Sequence, residues 1–480
     1  MFHLQLLTHR FAVPVARSVR RAFHLANNLN YYIGGPQEPF SPIPGRFPKW
    51  ASNSDEAFYF LKDGANVFIH GGAATPTPLV KEFYEYCVRK DLKNIKLYHI
   101  HTEGEYPFHN PEQRHRFRST SLFTGGNCRA AIKEGTADYT PIFLSEIPLL
   151  FRRKHIQLDL ALLNVTPPDR HGFCSLGPSL DVVRSAIQNA TNIVGMVNDQ
   201  LPLTRGDACI HFSNLTVMRT GSMPCHEIAP HAPSEVDDKI GSIIAENLVE
   251  DGSTLQTGIG AIPDAVLSKL TNHHHLGVHT EMFSDGVVQL VEVGAITNAY
   301  KKLRPGKIVS SFVLGTKRVF DFLDDNPMVD MADVAWVNSP AVIAQNPKPV
   351  AINSCIEVDL TGQVSSDSIG TRIYSGFGGQ VDFLRGAALS LDGQGKPIIA
   401  LPSVTKRNET KIVPTLRPGA GVVTTRAHVH YVVTEHGIAY LFGRNLRQRA
   451  HALIQIAHPD HREALEKAAF DMLKVMPSGD

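Results

Sequence analysis

Short runs of β-branched and aliphatic residues alternate with stretches of helical spacing along most of this chain, and that alternation limits the folds open to it. Val67-Phe68-Ile69, Ile95-Lys96-Leu97, Leu160-Ala161-Leu162-Leu163 and Ile193-Val194-Gly195-Met196-Val197 have the composition of short buried strands. Ile308–Val313, Val350-Ala351-Ile352 and Ile398-Ile399-Ala400-Leu401 continue the series. Ile240, Ile243, Ile244 and Leu248 fall on one helical face, and Ser234 with Asp237 three residues on predicts a capping box at that helix's start. Strands that alternate with helices predict an α/β fold with mostly parallel sheets covered by helices.

The pattern occurs twice. "FLKDGANVFIHGGAATPTPLV" from Phe60 and "LVEDGSTLQTGIGAIPDAVLS" from Leu248 both run helix end, Asp-Gly turn, strand, glycine turn, then a proline at a new helix. "HTE" follows in each half, ending at Glu103 and at Glu281. A chain of 480 residues exceeds one ordinary core, so two similar open α/β domains are expected. Their boundary is placed near the Pro- and His-rich stretch 224–233, giving domains over 36–228 and 229–480.

The formal charge is +1, which gives no global basic field for nucleic acid. No stretch approaches the roughly 20 apolar residues that span a bilayer. Cys87, Cys128, Cys174, Cys209, Cys225 and Cys355 are scattered without a C-x-x-C pair, so buried free thiols are expected rather than a disulfide framework or zinc site. The run His273–His275 is expected in an exposed loop, and no metal site is predicted. Before Glu38 there is no acidic residue, while Arg10, Arg17, Arg20 and Arg21 stand among apolar residues. Such a start has the character of a mitochondrial transit peptide, taken as residues 1–35, and predicts matrix residence.

The chemistry is expected in the second half. "LGVHTE" is predicted as a strand from Leu276 that ends at Glu281, and open α/β sheets bind ligands beyond such ends. A carboxylate in a partly polar site there can stay ionised at neutral pH, and an ionised carboxylate can attack a carbonyl carbon. Gly258 and Gly260 follow a strand and precede Pro263, a turn that lets a ligand approach the backbone; it is not a dinucleotide fingerprint, because Pro263 falls where a third glycine would help dock the helix. The glycines of Gly376-Phe377-Gly378-Gly379-Gln380 leave amides free to point into a cavity.

Several longer motifs carry a family resemblance. "QTGIGAIPDAV", "HTEMFSDGVVQLVE", "SGFGGQVDFLRGA", "ALPSVTKRNETKIVPTL" and "VVTEHGIAYL" resemble the acetyl-CoA hydrolase/transferase family. "GTADYTPIFLSEIP" from Gly135 and "VTPPDRHGFCSLGPSLD" from Val165 extend the resemblance into the first half. It implies a class I CoA-transferase-like fold with the active site in the interdomain cleft. It places the family's nucleophilic glutamate on Glu281, the oxyanion donors on Gly378 and Gly379, and a side chain steering the glutamate on Asn338. CoA contacts fall on Gln256, Thr257, Gly258, Ile259, Gly260, Asn353, Gly376, Gly378 and Lys406. Arg407 and Lys411 are further candidate cations for the CoA phosphates. The replacement of the first half's usual GxG-type turn by Gly71-Gly72-Ala73-Ala74 could shape the pocket for the small acid.

The expected activity is ping-pong transfer of CoA between a short-chain acyl-CoA and a carboxylic acid such as acetate, succinate, butyrate or 4-hydroxybutyrate, through a glutamyl-CoA thioester. CoA is a substrate, no permanently bound cofactor is expected, and a homodimer is a family-level expectation. Acetyl-CoA hydrolysis by the same glutamate is the alternative, and a noncatalytic CoA-binding protein is the second. Glu103 and Glu435 are rival carboxylates, and His279, His436 and His458 are expected to pack or hydrogen-bond.

Overall fold

Two parallel sheets organise the molecule. The computed structural model describes residues 40–229 and 232–480. The expected transit peptide lies outside the described residues.

The first sheet has eight strands: β1 (Lys49–Ala51), β2 (Asn66–Ile69), β3 (Ile95–His99), β4 (Phe117–Ser121), β5 (Ala137–Tyr139), β6 (Leu158–Val165), β7 (Ala190–Asn198) and β8 (Val217–Gly221). Their order is β1-β8-β7-β6-β2-β3-β4-β5, and every pair is parallel. At the centre, β6 is buried at all positions but Asp159, as a strand covered on both faces must be. The second sheet holds β9 (Thr254–Thr257), β10 (Gly277–Val278), β11 (Pro349–Ser354), β12 (Lys396–Ala400), β13 (Tyr431–Thr434) and β14 (Gly437–Tyr440). Its order is β10-β9-β11-β12-β13-β14, parallel except for the terminal β13–β14 pair. The doubly repeated pattern thus becomes two mostly parallel sheets.

The repeated grammar appears in both halves. In the first, β2 leads through Gly71–Gly72 to helix α1 (Thr77–Arg89), which has a proline in its first turn. In the second, helix α2 (Glu235–Leu248) starts at the predicted Ser234–Asp237 capping box. Beyond it, β9 runs through Gly258–Gly260 into helix α3 (Ala261–Lys269). The Asp251–Gly252 turn between α2 and β9 uses Gly252 at φ +76°, a conformation glycine adopts without strain.

The described residues form one compact unit. One apolar core runs from Phe68 and Leu163 in the first sheet to Leu255, Ile352 and Ile398 in the second. The six cysteines are free, and five of them are buried. Among the described residues no helix is long and apolar enough to cross a membrane.

Two expected strands are broken. Ile308–Val313 divides into Ile308–Ser310, paired with Val329–Met331, and Phe312–Val313, paired with Met282–Phe283. "LGVHTE" is a two-residue edge strand, β10, after which the chain leaves the sheet. Thr280 replaces the ladder there: its hydroxyl donates to the carbonyls of Thr257 (3.2 Å) and Met282 (2.7 Å). Glu281 therefore sits in the hand-over between the sheet edge and the Met282–Phe283 pair. Its own carbonyl accepts from the amides of Ser311 and Phe312, both at 2.9 Å.

Candidate active site

The backbone of Glu281 is fixed by those two amides, and its side chain is held separately. Asn338 Nδ2 donates to Oε2 at 2.9 Å, and the backbone N–H of Gly379 donates to the same carboxylate. Asn338 ends the short helix α4 (Val334–Val337), whose first turn is capped by the Asp333 carboxylate. Buried Asp333 pairs in turn with Arg152 of the first half at 2.7 Å. The amide of Asn338 thus rests on a helix held at its other end by an ion pair.

Gly379 is the N-cap of helix α5 (Gln380–Ala388). A Cβ on it would lie 1.9 Å from Glu281 Oε2 and 2.3 Å from Asn338 Nδ2, closer than any real Cβ contact. Only glycine lets the loop come this near the carboxylate. Asp382, one turn into α5, is buried, and Asn338 Nδ2 stands 3.5 Å from its Oδ2.

Partial burial away from water pushes the Glu281 carboxyl up to about 7, and the Asn338 and Gly379 donors only partly offset it. At about 7 the carboxyl is ionised in part at neutral pH, because two neutral donors do not replace the hydration lost. Burial likewise raises Asp382, with the nearby Glu281 charge acting in the same direction and Ser145 against it.

Glu281 faces a cavity of about 1060 Å³. Gly258, Ile259 and Gly260 line it, as do Asn353, Gly376, Gly378 and Gly379. Asn353 Nδ2 donates to Gln256 Oε1 at 3.0 Å, but Gln256 and Thr257 are themselves buried within β9 and are not among the lining residues. A strand covered on both faces reaches the cavity only where its glycine turn leaves the sheet. Lys406 is not brought to the cavity: it is exposed on a turn closed by the Thr405 amide to the Glu409 carbonyl at 2.8 Å. Lys411 is turned inward, its Nζ donating to the Cys355 carbonyl at 3.3 Å. Gly72, Ala73 and Ala74 are buried and also lie outside the lining.

The rival carboxylates are engaged elsewhere. Glu103 pairs with His101 at 2.8 Å, and Glu435 accepts from the Ser403 amide and hydroxyl. His279 is buried against the Val337 carbonyl at 2.8 Å, and His458 caps the helix Pro459–Leu473.

Sequence reasoning missed the opposite wall. After β4 the first half contributes Phe123, Thr124, Gly125, Gly126 and Arg129 to the cavity, and Arg318 comes from the second half. Phe123 packs against Gly376 and Gly378, and the Thr124 amide donates to the Ser375 carbonyl at 3.3 Å. Arg129 lies 3.9 Å over the Tyr374 ring and donates to its carbonyl at 2.6 Å. The available signal was the glycine pair Gly125–Gly126 after a strand, the same grammar as the two turns already singled out.

A carboxylate held by neutral donors thus lines a large cavity to which both halves of the chain contribute. Residues 45–250 match the acetyl-CoA hydrolase/transferase N-terminal domain, and residues 315–469 match the C-terminal domain. The chain is 82% identical to a succinyl-CoA:acetate/propanoyl-CoA:succinate CoA transferase of Fasciola hepatica, covering 100% of both chains. It is 48% identical to a 4-hydroxybutyrate coenzyme A transferase of Clostridium kluyveri, over 83% of this chain and 92% of that one. The solved structure of RipA from Yersinia pestis superposes with a TM-score of 0.84 at 32% identity, covering 89% of this chain and 98% of the other. The chain belongs to the acetyl-CoA hydrolase/transferase family. Within it, the protein is a CoA-transferase, moving CoA between an acyl-CoA and a carboxylic acid.

Proposed function

We propose that Glu281 carries the acyl group and CoA covalently in turn, and that acetate, propanoate and succinate are the acids exchanged. The acids follow from the 82% identity to the Fasciola hepatica enzyme. The observation that carries the mechanism is a carboxylate lining the cavity, held by Asn338 Nδ2 at 2.9 Å and by the Gly379 N–H.

Ionised Glu281 attacks the thioester carbonyl, the C–S bond breaks, and CoA thiolate leaves a mixed anhydride. The thiolate then attacks the glutamyl carbonyl and displaces the first carboxylate, giving glutamyl-CoA. An incoming carboxylate attacks that thioester and frees the thiolate, which attacks the new acyl carbonyl and restores Glu281. Each tetrahedral oxyanion needs preorganised donors, and the amides at Gly378 and Gly379 are the ones assigned to it. Every bond made is an activated acyl bond, so no ATP is required.

Initial rates with succinyl-CoA and acetate test this reading. Parallel double-reciprocal lines are the expected result; lines that converge contradict a covalent half-reaction. In the same assay, kcat/KM for the acyl-CoA rises with pH until about 7 and then levels, because only the ionised carboxylate attacks. Below that point each pH unit lowers it about tenfold. A flat profile from pH 5 to 8 contradicts the role of a burial-raised Glu281.

We also propose mitochondrial matrix residence, from the acid-free, Arg-bearing residues 1–37. A reporter fused to these residues enters the matrix; cytosolic retention contradicts the assignment.

A further inference from the structure

The Asn338 amide has two ends, and only its nitrogen end serves a carboxylate. Its neighbours keep it turned that way. Nδ2 lies between two carboxylates, 2.9 Å from Glu281 Oε2 and 3.5 Å from Asp382 Oδ2. In the ionised form that attacks, Glu281 only accepts, and both Asp382 oxygens already accept from Ser145, so this side of the amide takes the Nδ2 end and not Oδ1. Asp382 is itself gripped from the first half of the chain: Ser145 Oγ donates to Oδ1 at 2.9 Å, and the Ser145 amide to Oδ2 at 3.3 Å. Its position in the first turn of α5 also places its charge at the favourable end of the helix dipole.

The turn that carries Ser145 steadies the second donor as well. The Leu144 amide donates to the Gly378 carbonyl at 3.0 Å, and the Phe143 and Phe377 rings meet edge to face at 5.6 Å. The peptide that follows this Gly378 carbonyl bears the Gly379 N–H used on Glu281. One turn of the first half therefore bears on both groups that hold the glutamate.

We propose that Asp382 is a positioning residue for Glu281, acting through Asn338 and held in place by Ser145. The inference rests on Glu281 being the nucleophile. Asp382 does not touch the reacting carbon; it fixes which face of a neighbouring amide the nucleophile meets. Misdirecting that amide costs rate and not binding, since the cavity walls that receive CoA are unchanged.

The test is single-turnover formation of glutamyl-CoA from acyl-CoA, with steady-state kcat and KM, for Asp382→Asn, Ser145→Ala and the double variant. Glu281→Gln is run alongside. Asp382→Asn keeps the shape but lets the Asn338 amide turn over, and slows glutamyl-CoA formation about tenfold to hundredfold with KM for the acyl-CoA unchanged. Ser145→Ala slows it in the same direction by less, and the double variant is no slower than Asp382→Asn alone, because Ser145 acts through Asp382. Formation at the parent rate in Asp382→Asn overturns the proposal, as do a loss confined to KM and losses that multiply in the double variant. Should Asp382→Asn not fold, Ser145→Ala decides by the same readouts, with parent rate overturning. A Glu281→Gln protein that still forms the thioester removes the nucleophile assignment instead, a result distinct from any of these.

Discussion

Replacing Glu281 with glutamine lowers CoA transfer about 10⁴-fold or more and, at pH 8, raises the melting temperature. The first effect follows from chemistry: an amide cannot form an anhydride or thioester and return as a carboxylate. Losses of this size are typical when a nucleophile is deleted from a site that otherwise stays intact. The second follows from burial. The Glu281 carboxyl lies at about 7 in the folded protein, above its ordinary value of 4.5. The folded chain therefore holds a proton that the unfolded chain has released between those limits, and its stability falls as pH rises through them. Above pH 7 the ionised carboxylate is a net burden on the fold. Glutamine removes that burden and still accepts from Asn338 and Gly379. Thermal melts of parent and variant at pH 5 and pH 8 check this: the gap opens at pH 8 and is small at pH 5. A variant less stable than the parent at pH 8, or as active as the parent, contradicts the account.

Gly379→Ala lowers turnover about 10²–10³-fold, the usual cost of losing one preorganised donor. The added methyl has no room, since its carbon would lie 1.9 Å from one Glu281 oxygen and 2.3 Å from the Asn338 nitrogen. Either the carboxylate swings away or the N-cap of α5 moves, and both remove the Gly379 N–H from its acceptor. Gly379 has φ −98°, so alanine brings no backbone strain. The loss is steric and local, and the circular dichroism spectrum of the variant matches the parent. Turnover within threefold of the parent would show that the loop does not approach the glutamate in catalysis.

The alternation of strand and helix patterns carried most of the architecture, because residues of a parallel strand buried on both faces must nearly all be apolar. Val67–Ile69, Leu160–Leu163 and Ile398–Ala400 lie in central strands for that reason. At the sheet edge the pattern misleads. Leu276 to Glu281 has the composition of a continuous strand, but the Thr280 side chain takes over the hydrogen bonds and turns the chain out. Glu281, Asn338 and the 376–379 loop were singled out from their motifs, and the fold brings the three together. Lys406 stands on an exposed turn outside the cavity lining, a placement that its motif alone does not give. The residues that escaped were those defined by distant pairing. Ser145 meets Asp382 across 237 positions of sequence, and Arg129 meets Tyr374 across 245. Asp382 taken locally is an ordinary acid in a helix's first turn, and nothing near it in sequence announces the partner.

The central claim is that the Glu281 carboxylate becomes an activated acyl group during turnover, and direct trapping of that species tests it. The protein is incubated with acetyl-CoA alone, reduced with borohydride and digested for peptide mass analysis. A glutamyl thioester is reduced to an alcohol, so the account predicts a peptide in which residue 281 carries a hydroxymethyl group in place of its carboxyl, formed only when acyl-CoA is present. A peptide with unmodified Glu281, from an enzyme that exchanges CoA between acids under the same conditions, contradicts it.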